Sequence, residues 1–243
     1  MDPVLLLLAC ATGAALTAPL GVLPLKSKRA TPLRWVGWAN ALAAGFMLGN
    51  GIVLAEAGLA YPPLLGATGG LLGVMFVFWT HVVSGTVDLD LNQLQNTAPD
   101  YGYRILLLGT LHSAAEGIAI GVAMLHSVPL GVATAATFAI HNIPEGTILG
   151  AVLIPKGVSR RHAAGLAAAT NAGQVFLAVT TYAVLQALPM LIPVGVGFAF
   201  GSLVYLAMSE LLPQAYHQAG TTAIALVASI AMGIVVLLGG TNL

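Results

Sequence analysis

Two stretches of the chain each place a histidine and a glutamate four residues apart. HSAAEGIAIG occupies residues 112–121, and HNIPEGTILG occupies residues 141–150. Both follow the pattern His-x-x-x-Glu-Gly-x-x-x-Gly, and the residues concerned are His112 and Glu116 in the first copy and His141 and Glu145 in the second. Residues four apart share one face of a helix. Each stretch therefore predicts a helix that presents an imidazole and a carboxylate side by side.

Two imidazoles and two carboxylates form a ligand set for a divalent transition metal. The set suits Zn²⁺, Fe²⁺, Mn²⁺ or Co²⁺, and it contains too much nitrogen for Mg²⁺ or Ca²⁺. For either copy alone, an alternative is a structural pair in which the histidine and the glutamate neutralise one another. The surroundings of the two copies decide between these interpretations.

Those surroundings are too apolar for a soluble domain. Of 243 residues, 58% are hydrophobic and only 7% are charged, and the mean hydropathy is +0.94. Soluble domains carry about 25% charged residues, so the composition indicates a membrane protein. The formal net charge is zero, which leaves no basic surface for nucleic acid. The single cysteine, Cys10, excludes an internal disulfide framework.

Eight segments are apolar and long enough to cross a bilayer, which requires a helix of about 20 residues. Most of the breaks between them are short, and VDLDLNQLQNTAPDYG at 87–102 is the longer polar loop. The predicted helices cover residues 3–25, 34–58, 62–86, 103–125, 129–154, 161–187, 190–212 and 220–240. We therefore predict an all-α membrane protein in which residues 1–243 form one transmembrane domain. The first segment lacks a basic start and continues past Cys10, which favours a retained helix over a signal peptide.

The charged residues predict an orientation. All eight lysines and arginines fall in three breaks or at the helix ends beside them, and eight helices place these three breaks on one side. Cytoplasmic loops retain basic residues, so we predict a multi-pass protein of the inner or plasma membrane with both termini outside. Four acidic residues lie in predicted helices: Glu56, Glu116, Glu145 and Glu210.

The two motif glutamates lie mid-helix, where a carboxylate costs about 2.5–3.5 kcal/mol on insertion scales and indicates a function. Recurrence of the motif on adjacent helices thus favours a metal site over two structural pairs. A short turn near HSVP makes these helices antiparallel, which brings both histidines to a similar depth. The motif glycines, which permit close helix approach, are Gly117, Gly121, Gly146 and Gly150. Pro144 is expected to kink the second of the two helices.

These motifs resemble those of the ZIP family of divalent-metal transporters, particularly its bacterial members. HNIPEG at 141–146 is the family's helix-five signature as it is usually written, and HSAAEG at 112–117 is a variant of the helix-four signature. GFM at 45–47 and SELLP at 209–213 are similar to parts of the second and seventh helices. The resemblance covers the whole chain and implies eight helices with both termini outside.

The resemblance implies an importer that carries Zn²⁺ and related ions (Fe²⁺, Mn²⁺, Cd²⁺, Co²⁺) into the cytoplasm. The metal would be the transported substrate, and no cofactor is implied. Family members hold metal in a two-site centre between helices four and five. Carried over by position, the implied ligands are His112, Glu116, His141, Asn142 and Glu145. Met47 matches a weaker thioether contributor, and Gln174 stands where many relatives have a glutamate.

Several positions depart from the family pattern. Ser113 replaces a common asparagine, Ala115 a frequent proline, and Gln174 a glutamate. With Ser113 and Gln174 as its remaining candidate ligands, a second site would be weakened, and we expect the primary site to be close to intact. The loop at 87–102 lacks the histidine cluster of many relatives and has three aspartates instead: Asp88, Asp90 and Asp100. They could collect exiting cations, although a solvated acidic loop is the plainer interpretation.

Other functions and other sites stay open from the sequence. An intramembrane metalloenzyme typically needs His-Glu-x-x-His or an equivalent three-ligand site, and no such motif occurs; we predict no enzyme activity. A metal sensor without transport is the further alternative. Glu210 and His217 could form an exit relay or anchor the helix at the interface, and His81 is interpreted as a structural histidine. A glycine stripe could serve a homodimer interface or internal packing: Gly69, Gly70 and Gly73.

Overall fold

The computed structural model describes residues 2–25, 32–85 and 101–240. Within these ranges there are eleven α-helices and no strand, which confirms the all-α prediction for the described chain. The helices are α1 Pro3–Ala15, α2 Ala18–Val22, α3 Leu33–Gly58, α4 Pro63–Ser84, α5 Tyr101–His126, α6 Val128–Leu153, α7 Arg160–Thr170, α8 Ala172–Ala187, α9 Ile192–Leu206, α10 Leu212–Ala219 and α11 Thr221–Gly240. Six charged residues of two predicted loops lie outside the described residues: Asp88, Asp90 and Asp100 in one loop, and Lys26, Lys28 and Arg29 in the other.

Seven helical segments of the described chain are long and apolar enough to cross a membrane. They are Pro3–Val22, Leu33–Gly58, Pro63–Ser84, Gly102–His126, Arg160–Ala187, Pro189–Ala219 and Thr221–Gly239. Helix α6 is also 26 residues long, but it carries the polar side chains of the second motif, which lower its hydropathy. Large apolar side chains such as Leu71 and Trp79 are exposed on the outside of the bundle. The chain is a multi-pass membrane protein.

The first predicted segment, 3–25, is two helices rather than one. The break lies around Thr17, because Pro19 has no amide proton for a helical hydrogen bond. The Thr17 hydroxyl donates to the carbonyls of Ala14 and Ala139, at 2.7 and 2.5 Å. The break in this span is therefore fastened to α6, the helix that carries the second motif.

The sixth predicted segment, 161–187, is also broken, between α7 and α8. Thr170 Oγ1 and Asn171 Nδ2 both donate to the carbonyl of Ala167, each at 3.0 Å. Side chains that bond to the backbone in this way compete with the helix's own hydrogen bonds. The break leaves the Asn171 side chain buried in the interior.

The seventh predicted segment, 190–212, continues further than expected. Pro213 removes an amide donor, and the chain accommodates it with a π-helical turn, Ala207–Leu211, before α10 begins. The predicted break QAYHQAG is therefore helical up to Gly220, whose φ of 86° favours glycine. π-helical turns inside α-helices are frequent at functional sites, and Glu210 lies in this one.

The helices pack as two bundles that meet along a shared face. One bundle contains α3, α4, α9, α10 and α11, and the other contains α1, α2, α5, α6, α7 and α8. The principal contacts between the bundles are α3 on α6 and α5 on α9. Both motif helices, α5 and α6, thus lie on the face where the bundles meet.

The glycine stripe on the third predicted helix is used within the chain. A Cβ on Gly69 would lie 2.1 Å from the carbonyl oxygen of Val194, and one on Gly73 would lie 2.2 Å from that of Phe198. Both carbonyls belong to α9, so the stripe permits close packing of α4 on α9. The homodimer stays a prediction and gains no support from these residues.

The motif glycines also permit close approach, but to other helices than each other's. A Cβ on Gly117 would lie 2.3 Å from the carbonyl oxygen of Gln174, on α8. A Cβ on Gly146 would lie 1.9 Å from that of Ala18, on α2. The glycines therefore permit close packing of α5 on α8 and of α6 on α2.

We expect Gly73→Ala to lower the stability of the protein by about 1–3 kcal/mol, the usual cost of overpacking. The added methyl group has no room beside the α9 backbone. Gly233 on α11 is the matched control, because nothing lies within 4 Å of a Cβ built there. Gly233→Ala should preserve or raise stability, since alanine favours a helix by up to about 1 kcal/mol. Thermal unfolding in detergent measures both variants, and equal midpoints would contradict the close packing of α4 on α9.

Candidate metal centre

Three ligand-type side chains meet in the interior between α5 and α6. They are Glu116, His141 and Glu145, and their donor atoms lie within 4.8 Å of one another. His141 Nε2 is 2.9 Å from Glu116 Oε1. Glu116 is fully buried, and His141 is 2% exposed. We refer to these three residues as the buried cluster.

The buried cluster leaves polar atoms without a hydrogen-bond partner in the protein. They are both carboxylate oxygens of Glu116, Oε2 of Glu145 and Nδ1 of His141. The contact between His141 and Glu116 is at ion-pair distance. An unpaired buried polar atom costs about 1–3 kcal/mol, and a charged one more. A divalent cation among these oxygens would offset that cost.

Asn142 presents its side-chain oxygen as a further candidate ligand. Its Nδ2 donates to the carbonyl of Ala14 at 2.9 Å and to Oε1 of Gln174 at 3.0 Å. A carbonyl accepts only from the amide nitrogen, so the bond to Ala14 fixes the orientation of the amide. Oδ1 of Asn142 is then the free atom, buried and without a partner.

Gln174 and Ser113 are engaged with other protein groups. The oxygen of Gln174 accepts from Asn142, and its unpartnered atom is Nε2, a donor that cannot bind a cation. The Ser113 hydroxyl donates to the carbonyls of Thr110 and Thr170, at 2.9 and 2.7 Å. Met47 is 2% exposed, on α3, the helix that packs on α6. In this arrangement Gln174 orients Asn142, and Ser113 joins α5 to α7.

A second group of ligand-type side chains lies beside the buried cluster. It consists of His81 on α4, His112 on α5 and Glu210 in the π-helical turn, with donor atoms within 4.8 Å of one another. Glu210 Oε1 contacts Nε2 of both histidines, at 3.2 Å for His112. The two imidazole rings are 5.7 Å apart between centroids. We refer to these residues as the second cluster.

The structure therefore divides the four motif side chains between two clusters. Glu116, His141 and Glu145 lie together, whereas His112 faces Glu210. Helix α5 packs against α6 and α9 at once, and residues one turn apart on it reach different neighbours. The sequence interpretation missed His81 and Glu210 as partners of His112. The sequence shows that each is an ionisable residue inside an apolar segment, but it does not show which side chain each one faces.

A cavity of about 80 Å³ is lined by residues of both clusters. Its charged and imidazole lining comes from Glu145 of the buried cluster and from His112 and Glu210 of the second cluster. Three side-chain amides and one hydroxyl add to the polar lining: Asn40, Asn171, Gln214 and Thr170. His217, the predicted relay partner of Glu210, is exposed on α10 and belongs to neither cluster.

Apolar helices long enough to span a membrane surround two interior groups of imidazoles and carboxylates that could hold a metal ion. The family model described as ZIP zinc transporter matches residues 90–241. A "putative zinc transporter" of Arabidopsis thaliana is 30% identical over 232 residues, which cover 93% of this chain and 36% of the relative. The chain thus spans about a third of the length of that relative. It belongs to the ZIP zinc transporter family, as its motifs predict.

Proposed function

We propose that the protein transports divalent transition-metal ions, with Zn²⁺ as the principal substrate and Fe²⁺, Mn²⁺, Cd²⁺ and Co²⁺ as competitors. The observation that carries the proposal is the buried cluster in the interior of a multi-pass membrane protein. Two carboxylates there would neutralise a doubly charged ion, whose burial would otherwise cost far more than a protein can supply. Membership in a family of zinc transporters supports the same conclusion.

Helix α6 is proposed as the eighth span, and both termini are proposed to face outward. Its polar residues point to the interior, and α1, α2, α3 and α5 pack around it, so lipid need not meet them. The described basic residues lie at helix ends that border the cavity side: Arg34, Arg104, Lys156, Arg160 and Arg161. Because cytoplasmic loops retain basic residues, that side would face the cytoplasm across the inner or plasma membrane.

In this proposal the ion exchanges water for protein ligands at the buried cluster and then moves inward. Asn142 Oδ1 and the Met47 thioether supplement the cluster. The cavity leads from Glu145 to the second cluster, which acts as an exit relay. Release requires the two bundles to shift against one another, a movement typical of secondary transporters. Because Gln174 and Ser113 are engaged elsewhere, a second metal next to the first would have few ligands, which favours single-metal operation.

The test is uptake of radioactive zinc into proteoliposomes that contain the purified protein. We expect uptake that saturates with zinc concentration, exceeds that of empty liposomes and is inhibited by an excess of Mn²⁺, Fe²⁺, Co²⁺ or Cd²⁺. The order of inhibition would rank the substrates. Zinc binding without uptake would contradict transport and favour a metal sensor.

A further inference from the structure

The carbonyl of Ala14, at the end of α1, holds the amide of Asn142. Ala14 is buried and lies in the last turn of α1, where backbone carbonyls lack regular partners within the helix. Its oxygen accepts from Nδ2 of Asn142 at 2.9 Å, across a sequence separation of 128 residues. Nδ2 also donates to Oε1 of Gln174 at 3.0 Å. The break between α1 and α2 thus supplies one of the two acceptors that fix the orientation of this amide.

Thr17 ties this carbonyl to the backbone of α6. Its hydroxyl lies 2.7 Å from the carbonyl oxygen of Ala14 and 2.5 Å from that of Ala139. The first contact is a local one, of the kind that threonine often makes with its own helix. The second joins residues 122 positions apart, and Ala139 lies less than one helical turn before Asn142. A single hydroxyl therefore links the carbonyl that accepts the Asn142 amide to the helix turn that carries Asn142.

Only one atom of the Asn142 side-chain amide is free to meet a cation. Nδ2 donates to two acceptors, and Oδ1 is buried without a hydrogen-bond partner. Asn142 directly follows His141 of the buried cluster in the chain. A rotation of the amide would replace the oxygen by a nitrogen that only donates and cannot bind a metal ion. Groups that hold a metal ligand in one orientation therefore affect the binding of the metal itself.

Thr147 shows a hydroxyl that joins α2 to α6 in a different place. It lies on α6, and its Oγ1 is 3.1 Å from the carbonyl oxygen of Gly21 on α2 and 3.1 Å from that of Ile143 on its own helix. Like Thr17, it bonds to one local and one distant carbonyl. Its acceptors, however, belong to the packing of α2 on α6 and not to the hydrogen bonds of Asn142. Thr147 is therefore the matched comparison for Thr17.

We propose that Thr17 is a positioning residue for the metal centre: through the carbonyl of Ala14, it holds Oδ1 of Asn142 in place for the transported ion. The break between α1 and α2 then serves the site as well as the packing, because an uninterrupted helix would engage this carbonyl with the amide of Ala18. The inference rests on the proposed function, since Asn142 acts as a ligand only if the buried cluster holds a metal ion.

The test measures equilibrium zinc binding to the detergent-solubilised variant Thr17→Val, which keeps the shape of the side chain and removes the hydroxyl. Zinc affinity should fall about 10-fold or more, the range for groups that orient metal ligands. Thr17→Ser keeps the hydroxyl and should bind zinc nearly as the wild type does. In Thr17→Val the affinity for Mn²⁺ should fall further than that for Cd²⁺, because the ligand that loses its orientation is an oxygen.

A double-mutant cycle with Asn142→Ala separates positioning from a structural role. Asn142→Ala alone should weaken zinc binding at least as much as Thr17→Val, because it removes the ligand itself. The double variant should then bind zinc as Asn142→Ala does, since Thr17 acts through a side chain that is no longer present. Thr147→Val is the control. It should lower the midpoint of thermal unfolding but leave zinc affinity and the preference between Mn²⁺ and Cd²⁺ unchanged.

Several outcomes would overturn the positioning role of Thr17. They are wild-type zinc affinity in Thr17→Val or in Asn142→Ala, additive losses in the double variant, and a loss in Thr147→Val equal to that in Thr17→Val. Because all of these are binding measurements, they are separate from transport. A wild-type protein that binds zinc without taking it up would overturn the transport function, while the variants would still decide the role of Thr17. A wild-type protein that binds no zinc would overturn both.

Discussion

Glu145→Gln is expected to abolish saturable zinc uptake, with a loss of at least about 100-fold, the upper end for changes around a metal site. Glu145 supplies one of the two carboxylates of the buried cluster and also lines the cavity toward the second cluster. Glutamine keeps its size but removes the negative charge. Only Glu116 would then compensate a divalent ion in an interior where an uncompensated charge costs far more than hydrogen bonds return.

Glu56→Gln is the matched control for this substitution. Glu56 lies near the end of α3, is exposed and belongs to neither cluster. It should keep uptake and zinc affinity at wild-type values, so that any difference between the two variants reports the position of the carboxylate. Zinc binding to the purified variants, measured beside uptake, separates loss of the site from loss of movement. Wild-type uptake by Glu145→Gln would remove the buried cluster from the transport pathway.

The membrane helices could be predicted from sequence because hydropathy and proline or glycine breaks are local properties. The positions of the helix breaks and helix ends were not predicted correctly, because they depend on tertiary contacts. Pro19 and Pro213 are visible in the sequence, but the first produces a break fastened to α6 and the second a π-helical turn. The break at Asn171 has no proline at all. It arises from two side chains that donate to one carbonyl, and helix periodicity carries no sign of that competition.

The candidate metal centre could be predicted only as far as spacing goes. A separation of four residues establishes that His112 and Glu116 share a helix face, but that face is wide enough to touch two neighbouring helices. Which neighbour each side chain meets depends on contacts between residues about 100 positions apart, as for His112 and Glu210. Glycine spacing behaves in the same way. It predicts close approach at Gly117 and Gly146, yet the partners are α8 and α2.

The members of the second cluster come from both helix bundles. His81 and Glu210 belong to the bundle of α3, α4, α9, α10 and α11, whereas His112 belongs to the bundle that carries the buried cluster. The contact between His112 and Glu210 therefore crosses the junction. The hydrogen-bonded pair Asn50–Thr137 also crosses it, between α3 and α6. A shift of one bundle against the other would have to break or exchange both contacts.

Glu210→Gln is accordingly expected to slow transport without removing the metal from the buried cluster. Glu210 is the only acidic member of the second cluster, and without its charge the two imidazoles would have to hold an ion alone. Zinc uptake should fall by about 10- to 100-fold, while the zinc affinity of the purified protein stays close to that of the wild type. Glu145→Gln, in contrast, should lose both uptake and zinc affinity.

His81→Gln should resemble Glu210→Gln in part, because it removes one ligand and leaves the charge. His217→Gln, at an exposed position on α10, should have no effect. If Glu210→Gln loses zinc binding as completely as Glu145→Gln, the two clusters act as one site; if it transports normally, the ion leaves the cavity by another route. The division of labour between capture at the buried cluster and release through the second cluster thus depends on whether affinity and flux separate at this one carboxylate.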